Sequence, residues 1–176
     1  MTAPATISVL GLGNVLLGDD GFGPYMVELL CSQYQLPENV TAIDVGTPGL
    51  YLSEHLSASE AVIVIDAVSA AGEPGELRFY RREDLDRLPL LPRVSPHDPA
   101  LPDALWRLDL TGTTPREFLL VGAIPERLTL GTGLSERVRG ACAAAMGAVL
   151  QELARLGAPA RERETMQPSN VWWAGD

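Results

Sequence analysis

The first third of the chain alternates between short apolar runs and segments whose apolar residues recur at helical spacing. Continuous apolar runs at residues 6–11, 40–45 and 61–66 predict buried strands, and the third is the clearest of them. Between these runs, residues 22–33 and 48–58 each begin near a proline and repeat apolar side chains as an amphipathic helix does. The pattern therefore predicts three strands connected by two helices.

A charged strand and a proline-rich segment follow. Residues 72–82 predict a turn and then a strand whose charged side chains are typical of a sheet edge. Residues 88–103 cannot form one continuous helix or strand, because each proline lacks the N–H that either structure requires. A helix is predicted to resume around residues 100–110.

The regular pattern ends with another buried strand, at residues 117–123, and a long helix over residues 134–157. Ser135 is a suitable N-cap for this helix, and Gly157 is a suitable stop. Strands that alternate with helices predict a parallel or mostly parallel sheet covered on both faces, which is an α/β fold.

The length of 176 residues favours one domain. We assign that domain to residues 1–157 and interpret residues 158–176 as a C-terminal tail. The tail is polar apart from Trp172 and Trp173, so we expect it to be loosely ordered unless the tryptophans anchor it or contact a partner.

The formal net charge of −10 argues against nucleic acid as a partner, because binding it requires clustered cations. No apolar run approaches the roughly 18 residues of a membrane span. The first residues also lack the charged and apolar parts of a signal peptide, so we expect a cytoplasmic protein without membrane association. Cys31 and Cys142 lie in apolar helical patterns and are expected to be buried, reduced thiols.

A glycine-rich stretch, GLGNVLLGDDGFG, joins the first strand to the first helix at residues 11–23. A dinucleotide-binding turn would need a third glycine where this chain has Leu16. The adjacent carboxylates of Asp19 and Asp20 would also repel a pyrophosphate, so nucleotide binding is the weaker hypothesis. Either aspartate suits an N-cap; we favour capping or loop bonding for Asp19 and a site role for Asp20.

Three donor side chains are predicted to meet at one edge of the sheet. Asp20 follows the first strand, Asp66 ends the apolar run at residues 61–66, and His97 lies in a later irregular segment. Ligands of open parallel sheets bind beyond the carboxyl ends of the strands. Two carboxylates and an imidazole would suit nickel, iron, zinc or manganese better than calcium. Taken singly, Asp66 also suits a turn cap and His97 an exposed loop.

In several ordered segments, the sequence resembles the hydrogenase maturation proteases, which trim the C-terminus of the large subunit of nickel–iron hydrogenases. The segments are VLGLGNVLLGDDGFGPYMVELL, DVGTPGLYL, VIVIDAV, SPHD and LVGAIPERLTLGTGLSERVRGA, and the match covers nearly all of residues 6–156. The resemblance implies a three-layer α/β/α sandwich with a central, mostly parallel twisted sheet. It also implies that residues 1–157 form a catalytic domain with endopeptidase activity.

The family's three nickel-contacting positions fall on Asp20, Asp66 and His97, and many members have glutamate where this chain has Asp20. The resemblance implies that the nickel arrives in the immature large subunit, so that the substrate supplies it and no organic cofactor is needed. Asp20 and Asp66 are then candidate catalytic residues. Gly46, Thr47 and Gly49 are candidates for binding the substrate tail through their backbone.

An alternative uses the same donors differently. In that hypothesis, the protein is a metal-dependent hydrolase of a small molecule and retains a divalent ion of its own. A nucleotide-binding module without catalysis is a third hypothesis, and it requires phosphate at residues 11–23.

Overall fold

The structure, a computed structural model, describes residues 5–85, 87 and 101–167. Its strands, in chain order, are β1 (Ile7–Leu12), β2 (Tyr34–Gln35), β3 (Val40–Gly46), β4 (Ala61–Ala67), β5 (Leu77–Arg81), β6 (Glu117–Ala123) and β7 (Arg161–Glu162). The α-helices are α1 (Phe22–Gln33), α2 (Leu52–Ser57), α3 (Arg82–Leu85), α4 (Leu101–Thr111) and α5 (Glu136–Arg155). Short 3-10 helices at Gly18–Gly21 and Gly49–Tyr51 precede α1 and α2.

Five of these strands form the central sheet in the order β3–β1–β4–β6–β5. Neighbouring strands are parallel except β5, which pairs antiparallel with β6 at one edge. Gly11 of β1 lies opposite Asp44 of β3 on one side and Ile65 of β4 on the other. The predicted α/β fold with a mostly parallel sheet, including the charged edge strand, is therefore confirmed.

Helices cover both faces of the sheet. On one face α1 and α5 pack against alternate strand residues such as Ile63 and Ile65, and on the other face α2, α3 and α4 pack against Val62 and Val64. These four residues of β4 are at most 1% exposed. Because the strand is buried on both faces, its sequence is a continuous apolar run. The arrangement confirms the three-layer α/β/α sandwich.

Three local features bear on the predicted elements. The helix predicted at residues 48–58 is instead a 3-10 turn at Gly49–Tyr51 followed by α2, and Gly49 at the start of that turn has a φ of +56°, outside the range of an α-helix. Ser135 caps α5 as predicted, with its Oγ accepting a hydrogen bond from the N–H of Val138. The polar tail begins with β7, which pairs antiparallel with β2 and was not predicted because two-residue strands show no periodicity.

Cys31 and Cys142 are free thiols, the first half-buried and the second buried. Burial raises the pKa of Cys142 to about 11, so this thiol is unreactive at neutral pH. Within the described part of the chain, none of the helices has both the length and the apolar character needed to cross a membrane. Trp172 and Trp173, and most of the proline-rich segment, lie outside the described residues.

Candidate active site

The strand order reverses direction between β1 and β4. The chain leaves the carboxyl end of β1 toward β3 on one side, and it leaves the carboxyl end of β4 toward β5 and β6 on the other, so the two connections diverge there. Such switch points are where open α/β sheets bind ligands. Asp20 lies in the 3-10 turn after β1, and Asp66 is the penultimate residue of β4. The two predicted carboxylate positions therefore lie at the same switch point.

Glycines permit this turn to pack closely against the ends of both strands. A Cβ atom on Gly13, whose φ is +130°, would lie 1.7 Å from the carbonyl oxygen of Asp20. A Cβ atom on Gly23 would lie 2.2 Å from the carbonyl oxygen of Leu12 in β1 and 2.3 Å from that of Ile65 in β4. The glycine-rich stretch thus holds the backbone of Asp20 against the end of β1 and the start of α1 against the residue before Asp66.

Asp20 is nearly buried, with 5% of its surface exposed, and its Oδ2 accepts a hydrogen bond from the N–H of Asn14 at 2.8 Å. Asp66 is half-buried at the end of a strand that is otherwise fully buried. The N-cap position of α1 is Gly21, and no side chain caps the helix there. The hypothesis that Asp19 or Asp20 caps α1 is therefore wrong. Carboxylates at the carboxyl ends of parallel strands are placed where such sheets bind ligands, and they can bind a cation or transfer a proton there.

Asp19 has a structural role that differs from the role proposed for Asp20. It is completely buried, and its carboxylate accepts hydrogen bonds from the N–H groups of Glu126, Arg127 and Ser135 at 2.9, 2.8 and 2.6 Å. The hydroxyl of Ser135 donates a fourth bond at 2.9 Å. Asp19 therefore binds the loop between β6 and α5 to the turn that carries Asp20, which confirms the loop-bonding role predicted for it.

The third predicted donor, His97, lies outside the described residues, so its convergence with Asp20 and Asp66 stays a prediction. Among residues 5–85, 87 and 101–167, no group of three or more histidine, cysteine or acidic side chains is arranged to hold a metal ion. The described residues thus contribute two of the three donors that the sequence analysis proposed.

Asp44 is a further carboxylate at this edge that sequence reasoning did not select. It lies in β3 opposite Gly11, and its Oδ1 accepts a hydrogen bond from the N–H of Gly46 at 2.9 Å. Although Asp44 is exposed as a residue, partial burial of its carboxyl raises its pKa, the Gly46 N–H opposes that shift, and the negative charge of Glu28 adds to it. The available signal was the one that identified Asp66, an apolar strand that ends in an acid.

The candidate substrate-binding loop follows β3 on the other side of β1. Gly46 and Gly49 have φ values of +62° and +56°, and Thr47 between them is exposed. Among the described residues, and apart from each glycine's own chain neighbours, no atom lies within 4 Å of where a Cβ would stand on either glycine. The positive φ values are by themselves sufficient reason for glycine at both positions. Gly13 donates its N–H to the carbonyl of Gly46 at 2.9 Å, which joins this loop to the turn of the site.

A three-layer α/β protein with recessed carboxylates at its switch point belongs to a class that binds its ligands beyond the carboxyl ends of the strands. A sequence model described as hydrogenase maturation protease matches residues 24–152. The hydrogenase expression/formation protein HoxM of Azotobacter vinelandii is 39% identical over 165 residues, which cover 93% of this chain and 79% of that protein. The chain belongs to the hydrogenase maturation protease family, whose members are peptidases.

Solved structures agree with this assignment. The hydrogenase maturating endopeptidase HybD from Escherichia coli superposes with a TM-score of 0.83 at 37% identity, covering 90% of this chain and 98% of that one. The [NiFe] hydrogenase maturation protease HybD from Thermococcus kodakarensis gives a TM-score of 0.66 at 27% identity, with 85% and 99% coverage. The fold predicted from the sequence is thus the fold of known proteases of this family.

Proposed function

We propose that this protein is the endopeptidase that removes the C-terminal extension from the precursor of a nickel–iron hydrogenase large subunit. Membership of the family supports a peptidase acting in hydrogenase maturation. The observation that carries the proposal to particular residues is the position of Asp20 and Asp66 at the switch point between β1 and β4. The cytoplasmic location expected from the sequence stays a prediction.

In this proposal the nickel is part of the substrate. Asp20, Asp66 and His97 bind the ion that the precursor already carries, and the protease thereby distinguishes a loaded precursor from an empty one. Carboxylate oxygen and imidazole nitrogen are donors that first-row metals accept. The position of Asp20 after β1 supports this role, because ligands of open parallel sheets bind beyond the carboxyl ends of the strands.

Peptide hydrolysis requires a water oxygen to attack the carbonyl carbon of the scissile bond, after which the C–N bond breaks and the leaving amine takes up a proton. We assign the proton-accepting role to Asp20 or Asp66, since both are carboxylates at the proposed site. Where nickel also polarises the carbonyl, it lowers the barrier further as a Lewis acid. Recognition of the loaded precursor requires only that the donors bind the ion.

The test is incubation of the purified protein with a nickel-loaded large-subunit precursor, followed by mass spectrometry of the precursor. We expect loss of the extension with the wild type and a rate at least about 100-fold lower with Asp66→Asn or His97→Ala, since general acid–base catalysis alone contributes that much. Glu38→Gln, which neutralises an exposed carboxylate just before β3, at the opposite end of the parallel strands from Asp20 and Asp66, is the matched control and should cut normally.

The two parts of the proposal fail in different ways. An intact precursor after incubation with wild type removes the function. Equal cutting by wild type, Asp66→Asn and His97→Ala removes the assignment of the site while leaving the function in place. Nickel or another divalent ion retained stoichiometrically by the purified protein would instead favour a hydrolase with a resident metal.

A further inference from the structure

Exposed leucines lie on two hydrogen-bonded segments beside the proposed site. Leu128 and Leu130 lie in the loop between β6 and α5, and 40% and 86% of their surfaces are exposed. Leu16, in the turn after β1, is 47% exposed. We call these three side chains the leucine platform. Exposed apolar side chains on adjoining surface segments are typical of a site of protein contact.

Backbone hydrogen bonds join the two segments that carry the leucine platform. Gly131 donates its N–H to the carbonyl of Leu16 at 2.9 Å, and Gly18 donates its N–H to the carbonyl of Gly131 at 2.8 Å. The N–H of Asp19 donates to the carbonyl of Arg127 at 2.9 Å. Leu16, Leu128 and Leu130 therefore belong to one connected loop structure rather than to separate mobile loops.

The buried carboxylate of Asp19 strengthens this connection with four further hydrogen bonds to residues 126, 127 and 135. The exposed parts of these leucine side chains gain no burial of apolar surface in the isolated protein. A pre-ordered surface does lower the entropic cost of binding a partner. The hydrogen bonds therefore order the leucine platform before a partner binds, as expected of a contact surface.

The leucine platform is continuous with the proposed site. Asp19, which binds the platform loop, directly precedes Asp20, and both lie in the same 3-10 turn. Asp20 is itself nearly buried, so a metal ion carried by another protein reaches it only when the surface around that ion approaches this edge of the sheet. The partner that must approach this edge is the protein substrate.

We propose that the leucine platform docks an apolar patch on the folded surface of the precursor, next to the extension that is removed. This inference rests on the proposed function and adds to it the surface that sets affinity for the substrate. Because the leucines lie outside the carboxylate site, they act on binding rather than on the hydrolytic step. Loss of the platform should therefore raise KM and leave kcat nearly unchanged.

The experiment compares Leu128→Ser/Leu130→Ser with a matched control, Leu110→Ser. Leu110 is 67% exposed on α4, which packs on the opposite face of the sheet from α5. Burial of leucine side chains at an interface predicts a KM for the nickel-loaded precursor roughly ten- to a hundredfold higher in the double variant, with kcat within about twofold of wild type. The control should match the wild type in both constants. An unchanged KM in the double variant would overturn the proposal.

A binding measurement separates docking from catalysis. In an Asp66→Asn background, which does not cut, the double leucine variant should bind the nickel-loaded precursor more weakly. The fold-increase in Kd should be about the same as the fold-increase in KM. Urea unfolding of each variant checks that the protein remains folded, with any small loss of stability coming from the partly buried Leu128. If the wild type cuts and the leucine variants bind normally, docking fails alone; if the wild type neither cuts nor binds, the proposed function fails with it. If the wild type is a dimer that the double variant dissociates, the platform binds a second copy and the proposal is wrong.

Discussion

The carboxylate of Asp19 accepts hydrogen bonds from three backbone N–H groups and one hydroxyl while lying wholly out of contact with solvent. Every one of these donors is more than 100 residues away along the chain. The contacts connect the turn after β1 to the loop before α5, so one side chain positions two segments of the proposed site. Asp19 is in this sense a positioning residue for Asp20.

Asp19→Asn tests this role. The amide keeps one oxygen that accepts hydrogen bonds, but its NH₂ group replaces the other oxygen and faces N–H or O–H donors. At least one buried donor is then left without an acceptor. We expect the free energy of unfolding to fall by about 2–3 kcal/mol, in keeping with the loss of hydrogen bonds to a charged group. Urea unfolding followed by circular dichroism measures the change.

Glu38→Gln supplies the comparison, since it makes the same chemical change at an exposed position and should shift stability by less than about 0.5 kcal/mol. Asp19→Glu keeps the charge and tests position alone. If Asp19→Asn and Glu38→Gln were equally stable, the hydrogen bonds of Asp19 would not hold the loop. A positioning role further requires that Asp19→Asn lower kcat for the precursor.

An element could be predicted from the sequence when its own residues show a local apolar pattern, and could not when it depends on pairing with a distant segment. The strands at residues 61–67 and 117–123 were predicted almost to the residue, because burial on both faces makes each a continuous apolar run. β2 and β7 have two residues each and pair across more than 120 positions, so local pattern contains no signal for them. The partners of Asp19 were hidden for the same reason, whereas Asp66 was found because its own strand identifies it.

Between β5 and α5 an ion-pair network connects the edge of the sheet to the helix that covers it. Arg81 of β5 donates two hydrogen bonds to the carboxylate of Glu152, at 2.5 and 2.8 Å, and Arg155 donates two more, at 2.8 and 3.0 Å. Burial alone would raise the pKa of Glu152, but the two arginines outweigh it and lower the pKa from 4.5 to about 2. The network therefore favours the ionised carboxylate.

A pKa lowered by folding makes stability depend on pH in one direction. The stabilisation from Glu152 is complete above pH 4.5 and is lost as the pH falls toward 2, where the folded protein also takes up the proton. Because the arginines are partly exposed, we expect the wild type to lose about 1–2 kcal/mol more than Glu152→Gln between pH 6 and pH 3. Urea unfolding at both pH values measures this difference. Parallel pH profiles for the two proteins would contradict the prediction.

At the scale of the whole molecule, the order of the strands determines where the site forms. The chain places its first strand between the second and third long strands of the sheet, so the turn after β1 and the end of β4 are neighbours although residues 20 and 66 are far apart in sequence. The helices bury both faces and leave the carboxyl edge as the place where loops meet. That edge holds the candidate carboxylates and the leucine platform together.

The proposed source of the nickel gives a prediction about the enzyme and its substrate together. Because the proposed nickel arrives in the precursor, the purified protease should contain little nickel. Asp66→Asn, which keeps Asp20 and His97 as donors to the ion, should form a lasting complex with the loaded precursor. Complex formation with a nickel-free precursor should be at least about tenfold weaker, since an added metal contact is worth more than the 1.4 kcal/mol of one tenfold step. Elemental analysis and size-exclusion chromatography measure the two quantities.

Three matched samples make the outcome decisive. Wild type with loaded precursor should release the extension, Asp66→Asn with loaded precursor should retain it in a complex, and Asp66→Asn with nickel-free precursor should remain separate. The triple variant Asp20→Asn/Asp66→Asn/His97→Ala removes the donors and should bind both precursors equally weakly, through the leucine platform alone. Equal binding of loaded and nickel-free precursors by Asp66→Asn would show that the protease does not recognise the ion, and the carboxylates would then have a purely hydrolytic role.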